Sequence, residues 1–320
     1  LQPEFSDNVL PFWLEKAKAG HEMCLATLVN IDGSAPRPLG SQIAIAGDGT
    51  ALGFITGGCA EAAIIAEALQ AIKAGENRLV RYGEGSPYKD IALPCGSGID
   101  VYFDVTLNPE TVEQISAQLA GREPTHLRID LGGKESRVVE GKKALPIADN
   151  GYFTKPYTPQ FKLFIVGKGP VVPALAALAD QASFDVEIAS PETETLARIA
   201  DTTGRKIHLK SPTEYAPGSL DRWCVGVTLF HDHEWEPTIL EHFLNSQCFY
   251  VGALGSRTTH ATRLETLKAT GIGADKLARL RGPVGLDIQA STPTEIAISI
   301  LAEIIQTFRT AERGPARWQR

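Results

Sequence analysis

The chain has 320 residues, of which 43% are hydrophobic and 22% charged, and its formal net charge is −7. Such a length and mixture support two packed cores rather than a disordered polymer. The acidic balance, with no dense basic run, excludes nonspecific binding to nucleic acid or to an anionic membrane.

No apolar run reaches the roughly 18 to 20 residues that span a bilayer. The opening LQPEFSDNVLPFWLEKAKAG also lacks the basic-then-apolar layout of a signal peptide, so a soluble, cytoplasmic protein is expected. The five cysteines, Cys24, Cys59, Cys95, Cys224 and Cys248, are an odd set without a CxxC pair. Their scatter suits neither a disulfide framework nor a structural zinc site, and an important cysteine is expected to act alone as a thiolate.

In chain order, the first half reads as short strands at 24–31, 41–46 and 51–55, the last two joined by a turn at Gly47-Asp48-Gly49. After Gly57-Gly58, CAEAAIIAEALQAIKAG places Ile65, Leu69 and Ile72 on one face and stops at Gly75, which predicts a helix. Strands at 78–82 and 99–105, a helix from Pro109 to Leu119, and a strand pair in THLRIDL and SRVVEG follow. NGYFTKPYTPQ, with two prolines, reads as a linker over 150–160.

From Phe161 the rhythm becomes strand, helix, strand, helix, the signature of a parallel sheet with helices on both faces. KLFIVG, DVEIAS, WCVGVTLF and CFYVGAL supply strands, and TEIAISILAEIIQTF closes the chain as an amphipathic helix. The fold class is therefore α/β: an amino-terminal α+β domain over 1–149, then a Rossmann-like doubly wound parallel sheet domain over 161–320.

Several stretches carry chemistry. GSAPRPLGSQ holds Arg37 in a loop stiffened by prolines, where an arginine loses less entropy on clamping an oxyanion; equally, it is an ordinary strand connection. ITGGCAEAA places Gly57, Gly58 and Cys59 at a helix entrance, where backbone N–H groups can meet a ligand and the dipole favours a thiolate that ligates metal or carries sulfur. The plainer reading is a turn beside a small buried cysteine. ALPCGSGID sets Cys95 and Gly96 between a proline and a strand, either a backbone nest beside a thiol or a glycine turn.

IVGKGPVV keeps Gly167 and Gly169 of a dinucleotide fingerprint, with Lys168 between them, but has Val172 at the third glycine. The second strand ends in Ser190 rather than the acid that holds an adenosine ribose, with Glu187 inside the strand, which counts against a standard NAD site. FHDHE is read as a helix start with Asp232 as N-cap and Glu234 and Glu236 in the first turn; a metal site at His231 and His233 is the alternative.

YVGALGSRTTHATRL runs from strand through Gly255 to a helix with Ser256 as N-cap and Arg257, His260 and Arg263 at helical spacing. An anion there would meet N–H groups and cations together, or the stretch is a turn with a solvated basic face. RGPVGLDI, with Gly282 and Gly285, reads as a shaped loop, and STPTEIA as a capping box with Thr292 at N-cap, Pro293 at N1 and Glu295 at N3.

Taken together, GSAPRP, GGC-x-E at Gly57 to Glu61, Pro-Cys-Gly at Pro94 to Gly96, YVGALGSR, Arg263, GPVGLDI and the TPTEIAISILAE helix resemble the XdhC/CoxI family of molybdoenzyme maturation factors from end to end. The resemblance implies a non-catalytic factor that binds molybdenum cofactor, as molybdopterin or its dinucleotide form. Such a factor protects the cofactor during sulfuration and delivers it to an apo-molybdoenzyme of the xanthine dehydrogenase or aldehyde oxidoreductase type. It nominates Arg37, Cys59, Glu61 and Cys95 in the amino domain and the 252–257 turn and 282–286 loop in the other, with Cys59 toward molybdenum or its sulfur. A cysteine desulfurase or cofactor-synthesis enzymes are the further expected partners, and a homodimer the expected oligomer. The family's Gly-Ala-Gly-His after the first Rossmann strand is replaced here by Gly167-Lys168-Gly169-Pro170. Two rival functions are an NAD(P)-dependent oxidoreductase, suggested by fold alone, and a sulfurtransferase working through a Cys59 persulfide.

Overall fold

A computed structural model describes residues 7–58, 60–86, 98–133, 135–141, 145–230 and 234–313. It divides into two compact units, Leu1–Pro159 and Gln160–Arg320.

The amino unit is built on a five-stranded antiparallel sheet of β1 (Met23–Asp32), β2 (Gln42–Ala46), β3 (Ala51–Gly53), β4 (Arg78–Gly83) and β5 (Gly98–Asp104), in the order β3-β2-β1-β5-β4. The central strand β1 is buried on both faces because successive side chains point to opposite sides. Cys24, Ala26 and Leu28 pack under α2 (Glu61–Ala74) with Ile64, Ala68 and Ala71. Met23 and Leu25 join a second core with Trp13 of α1 (Leu10–Lys18) and Val112 and Ile115 of α3 (Pro109–Ala120). A second antiparallel sheet, of β6 (Thr125–Asp130), β7 (Arg137–Val139), β8 (Ile147–Asp149) and β9 (Tyr152–Tyr157), adds Leu127, Ile129 and Phe153 to that core.

The linker expected over 150–160 is corrected by this sheet. Residues 152–157 form β9, paired along its whole length with β6, and the boundary between the units falls after Pro159. Pro156 suggested a linker because it lacks an N–H, but it lies beyond the last β8 partner, Ile147 opposite Thr154, on an open edge where proline is tolerated.

The carboxyl unit has six parallel strands, β10 (Lys162–Gly167), β11 (Asp185–Ser190), β12 (Arg205–His208), β13 (Cys224–Leu229), β14 (Tyr250–Ala253) and β15 (Leu280–Arg281). Their order, β12-β11-β10-β13-β14-β15, is that of a doubly wound Rossmann sheet, with its switch point between β10 and β13. On one face α4 (Val171–Gln181) and α9 (Pro293–Arg313) bury Val172, Leu175, Ala297, Ile300 and Ile304. On the other, α6 (Glu236–Leu244) and α7 (Arg257–Ala269) bury Ile239, Leu240, Phe243 and Leu267. The second helix of this unit, α5 (Thr193–Ala197), is one short turn and a half. The predicted capping box is present: Thr292 Oγ1 accepts from Glu295 N, and the Glu295 carboxylate accepts from Thr292 N, which with Ser291 holds it down at about 2.

Candidate functional site

The antiparallel registers bring the three amino-terminal motifs to one edge of the five-stranded sheet. β1 ends at Asp32, opposite the start of β5 at Gly98, and β4 ends at Gly83 opposite the same glycine. β3 ends at Gly53 opposite Ile43 near the start of β2. Loop 33–41, the 54–60 turn, and the 84–97 connection therefore all leave or enter the sheet on that side. Cys59, Cys95 and Gly96 lie outside the described residues.

Arg37 touches the 54–60 turn directly, its guanidinium stacked over the Phe54 ring at 4.2 Å. Its Nη2 is bonded to the Asp7 carboxylate, while its Nε is buried with no hydrogen-bond partner. Beside it stands Lys155, brought in by β9, whose Nζ donates to the Gly40 carbonyl at 2.7 Å and lies 4.8 Å from the Tyr157 ring. Burial lowers the Lys155 pKa to about 8; the Asp7 carboxylate opposes that shift and the Arg37 charge reinforces it. Sequence reasoning missed Lys155 because it lies in the stretch read as a linker, and no local pattern shows that β9 passes next to Gly40.

Glu61 has a different role from the expected ligand contact. Its carboxylate accepts from the N–H groups of Ile55 (3.1 Å), Thr56 (2.6 Å), Gly57 (3.0 Å) and Gly58 (2.6 Å), and from the Thr56 hydroxyl. Burial pushes this carboxyl up, but the Thr56, Gly58 and Ile55 bonds outweigh it and hold the pKa below the ordinary value. The N–H groups of Gly57 and Gly58, expected to face an anion, are thus spent on Glu61, which also meets the positive end of α2. Both glycines are needed for their φ of 75° and 114°, and a Cβ on either would point into open space. The turn is a preformed, self-satisfied platform carrying Cys59.

At the carboxyl edge of the Rossmann sheet most nominated groups serve the fold. Gly169 N–H donates to Thr195 Oγ1 at 3.0 Å, Lys168 N–H donates to the Leu229 carbonyl at 3.0 Å, and Pro170 has no N–H. The N–H groups of Lys168 and Gly169 are therefore not open donors by which this turn could grip a pyrophosphate. Glu187 is buried and faces Lys162 at 3.6 Å and Arg205 at 3.5 Å, so it holds no ribose.

Arg263, expected as an anion contact, is buried and grips Glu236 through Nε at 2.9 Å and Nη2 at 3.1 Å, with a third bond from Nη2 to the Leu254 carbonyl. It pins the 254–257 turn to the start of α6. That helix begins at Glu236 with Trp235 as N-cap, and not at Asp232 as expected; residues 231–233 lie outside the described residues. Gly282 and Gly285 are also structural: a Cβ would run into the His260 ring at the first and Ser299 at the second, and Gly285 N–H donates to Glu303 at 2.7 Å. Ser256 is the predicted N-cap of α7, its Oγ accepting from Thr259 N. That leaves the Arg257 end of the helix, beyond Gly255, as the exposed cationic start.

Among the described residues no cluster of three His, Cys, Asp or Glu side chains could hold a metal, and no helix is long and apolar enough to cross a membrane. Cys24, Cys224 and Cys248 are buried thiols whose pKa burial raises, so none is a ready thiolate.

Known proteins match both units. The model of the XdhC Rossmann domain matches residues 163–304, and that of the XdhC and CoxI family matches residues 17–83. The molybdenum cofactor insertion chaperone PaoD of Escherichia coli is 32% identical over 299 residues, 93% of this chain and 87% of PaoD. A probable xanthine dehydrogenase subunit of Bacillus subtilis is 26% identical, over 89% of this chain and 93% of that protein. The crystal structure of a xanthine dehydrogenase from Bacillus halodurans shares the fold, with a TM-score of 0.77 over 97% of this chain and 98% of that one at 21% identity. With two family models in chain order and a relative of this identity along nearly its whole length, the chain belongs to the XdhC/CoxI family.

Proposed function

We propose that this protein is a molybdenum cofactor chaperone that holds the cofactor, protects it during sulfuration and delivers it to an apo-molybdoenzyme. The observation that carries the reading is the 32% identity to a molybdenum cofactor insertion chaperone along 93% of the chain. The geometry supports it: an arginine stacked against the Gly-Gly-Cys turn, at the sheet edge that the segment of Cys95 also enters, suits an anionic pterin with a soft metal–dithiolene end. Cys59 is assigned toward molybdenum or its sulfur, and Cys95 is the second thiol assigned to cofactor binding. A cysteine desulfurase is the partner that installs the sulfur, and a homodimer the working form.

The turns of the Rossmann unit contribute the exposed Arg257 helix start rather than an ordinary nucleotide site, which disfavours the NAD(P) oxidoreductase. The test is purification from a host that makes the cofactor, with molybdenum and oxidised pterin measured per chain. Near-stoichiometric amounts of both are expected, reduced to background in Cys59→Ala. Background values in the parent would refute the carrier function, and unchanged loading of Cys59→Ala would refute the role of that thiol.

A further inference from the structure

Among the described residues of the amino unit, Arg37, Lys155 and Asp7 form a charge cluster of two cations and one anion. Arg37 and Lys155 are both partly buried, Lys155 Nζ is bonded to Gly40 in the loop of Arg37, the Arg37 charge disfavours that of Lys155, and Asp7, the carboxylate that favours it, has a side chain 76% exposed to solvent. A counter-ion so exposed is heavily screened and contributes little. Each cation is nonetheless held in place, Arg37 by Phe54 and Lys155 by the Gly40 carbonyl, and Arg37 Nε is buried without a partner. Two positioned cations with one weak anion carry an excess charge of +1, which a phosphate dianion in place of Asp7 would cancel.

We propose that the phosphate of the cofactor binds between Arg37 and Lys155, and that Asp7 is a stand-in carboxylate which the phosphate displaces. The proposal rests on the cofactor-carrier reading for the identity of the ligand, but the phosphate site itself does not depend on it. Lys155 is then a binding residue supplied by β9, and Arg37 offers the planar fork that suits two phosphate oxygens. The site moves the phosphate end of the ligand from the Rossmann turns, where Gly169 N–H and Nε and Nη2 of Arg263 are already engaged, to the loop that touches the Gly-Gly-Cys turn.

The experiment is calorimetric titration of the cofactor-free 320-residue chain with inorganic phosphate and, separately, with pyrophosphate. Tighter binding of phosphate indicates a terminal phosphomonoester, and tighter binding of pyrophosphate the dinucleotide form. Lys155→Met is expected to weaken binding about tenfold and Asp7→Asn to tighten it about threefold, while Lys18→Met, an exposed charge elsewhere in the unit, leaves it unchanged. Because Asp7 is exposed, its variant tests the site even if Lys155→Met folds poorly. A parent that binds neither probe, or an Asp7→Asn variant that binds as the parent does, overturns the proposal. Failure of the carrier reading would appear separately, as absent molybdenum and pterin in protein from a cofactor-making host.

Discussion

Two arginines from family motifs illustrate how differently the two strand edges use their charges. Arg263, at the carboxyl edge of the Rossmann sheet, is buried against Glu236 with bonds at 2.9 and 3.1 Å, and its neighbours Gly282 and Gly285 pack on His260 and Ser299. Arg37, at the edge of the five-stranded sheet, stacks on Phe54 and is bonded to an exposed carboxylate that also acts on Lys155. The lesson is that a motif residue can be retained for its fold or for its ligand, and the two are distinguished by whether its charge is already answered inside the chain.

The comparison breaks most directly at Arg263. Arg263→Ala takes the guanidinium away from the buried Glu236 carboxylate and is expected to cost about 3 to 5 kcal/mol in thermal or chemical unfolding. The paired substitution Arg263→Met with Glu236→Leu should recover most of that, and should also recover cofactor loading if the arginine serves only the fold. Recovery of stability without loading would return Arg263 to the binding site.

Glu61 offers the next effect. Glu61→Ala removes the acceptor for four backbone N–H groups and is expected to cost about 2 to 3 kcal/mol, since hydrogen bonds to a charged group are the stronger kind and the freed turn regains water only in part. Its pKa is lower in the folded state, so the stabilisation is complete above the unfolded carboxylate value and is lost as pH falls through the folded one. Melting temperature followed into acid should therefore decline more gently in Glu61→Gln than in the parent. Parallel acid limbs would mean that the carboxylate does not organise the turn.

A smaller change sharpens the Rossmann half of the contrast. Thr195→Val removes the acceptor of Gly169 N–H and is expected to cost about 1 kcal/mol. Neither parent nor variant should bind NAD or NADP in a fluorescence titration, because the Lys168 N–H remains on Leu229 and Pro170 has none to offer. Saturable binding by the parent would reopen the oxidoreductase reading.

The sequence by itself determined the secondary structure wherever the pattern is local. The period of α2 and its stop at Gly75, the short apolar run of β1, the capping box of α9 and the strand–helix rhythm after Phe161 all depend on residues within a few positions of one another. The family followed from ordered motifs for the same reason, and the Thr195 and Pro170 arrangement agrees with a fingerprint that had already lost its third glycine. Even the Glu61 cradle spans only three to six residues, and an acid three residues after Gly-Gly at a helix start was a signal that could have been used.

What only the tertiary structure decided are the pairings across distance. Arg263 and Glu236 are 27 residues apart and Lys155 and Gly40 are 115 apart, and no periodicity encodes which charge meets which. The opposite roles of Arg37 and Arg263 follow from burial and partner geometry, because the free energy of a charge depends on the solvent and counter-charges around it, and those are assembled by the fold as a whole.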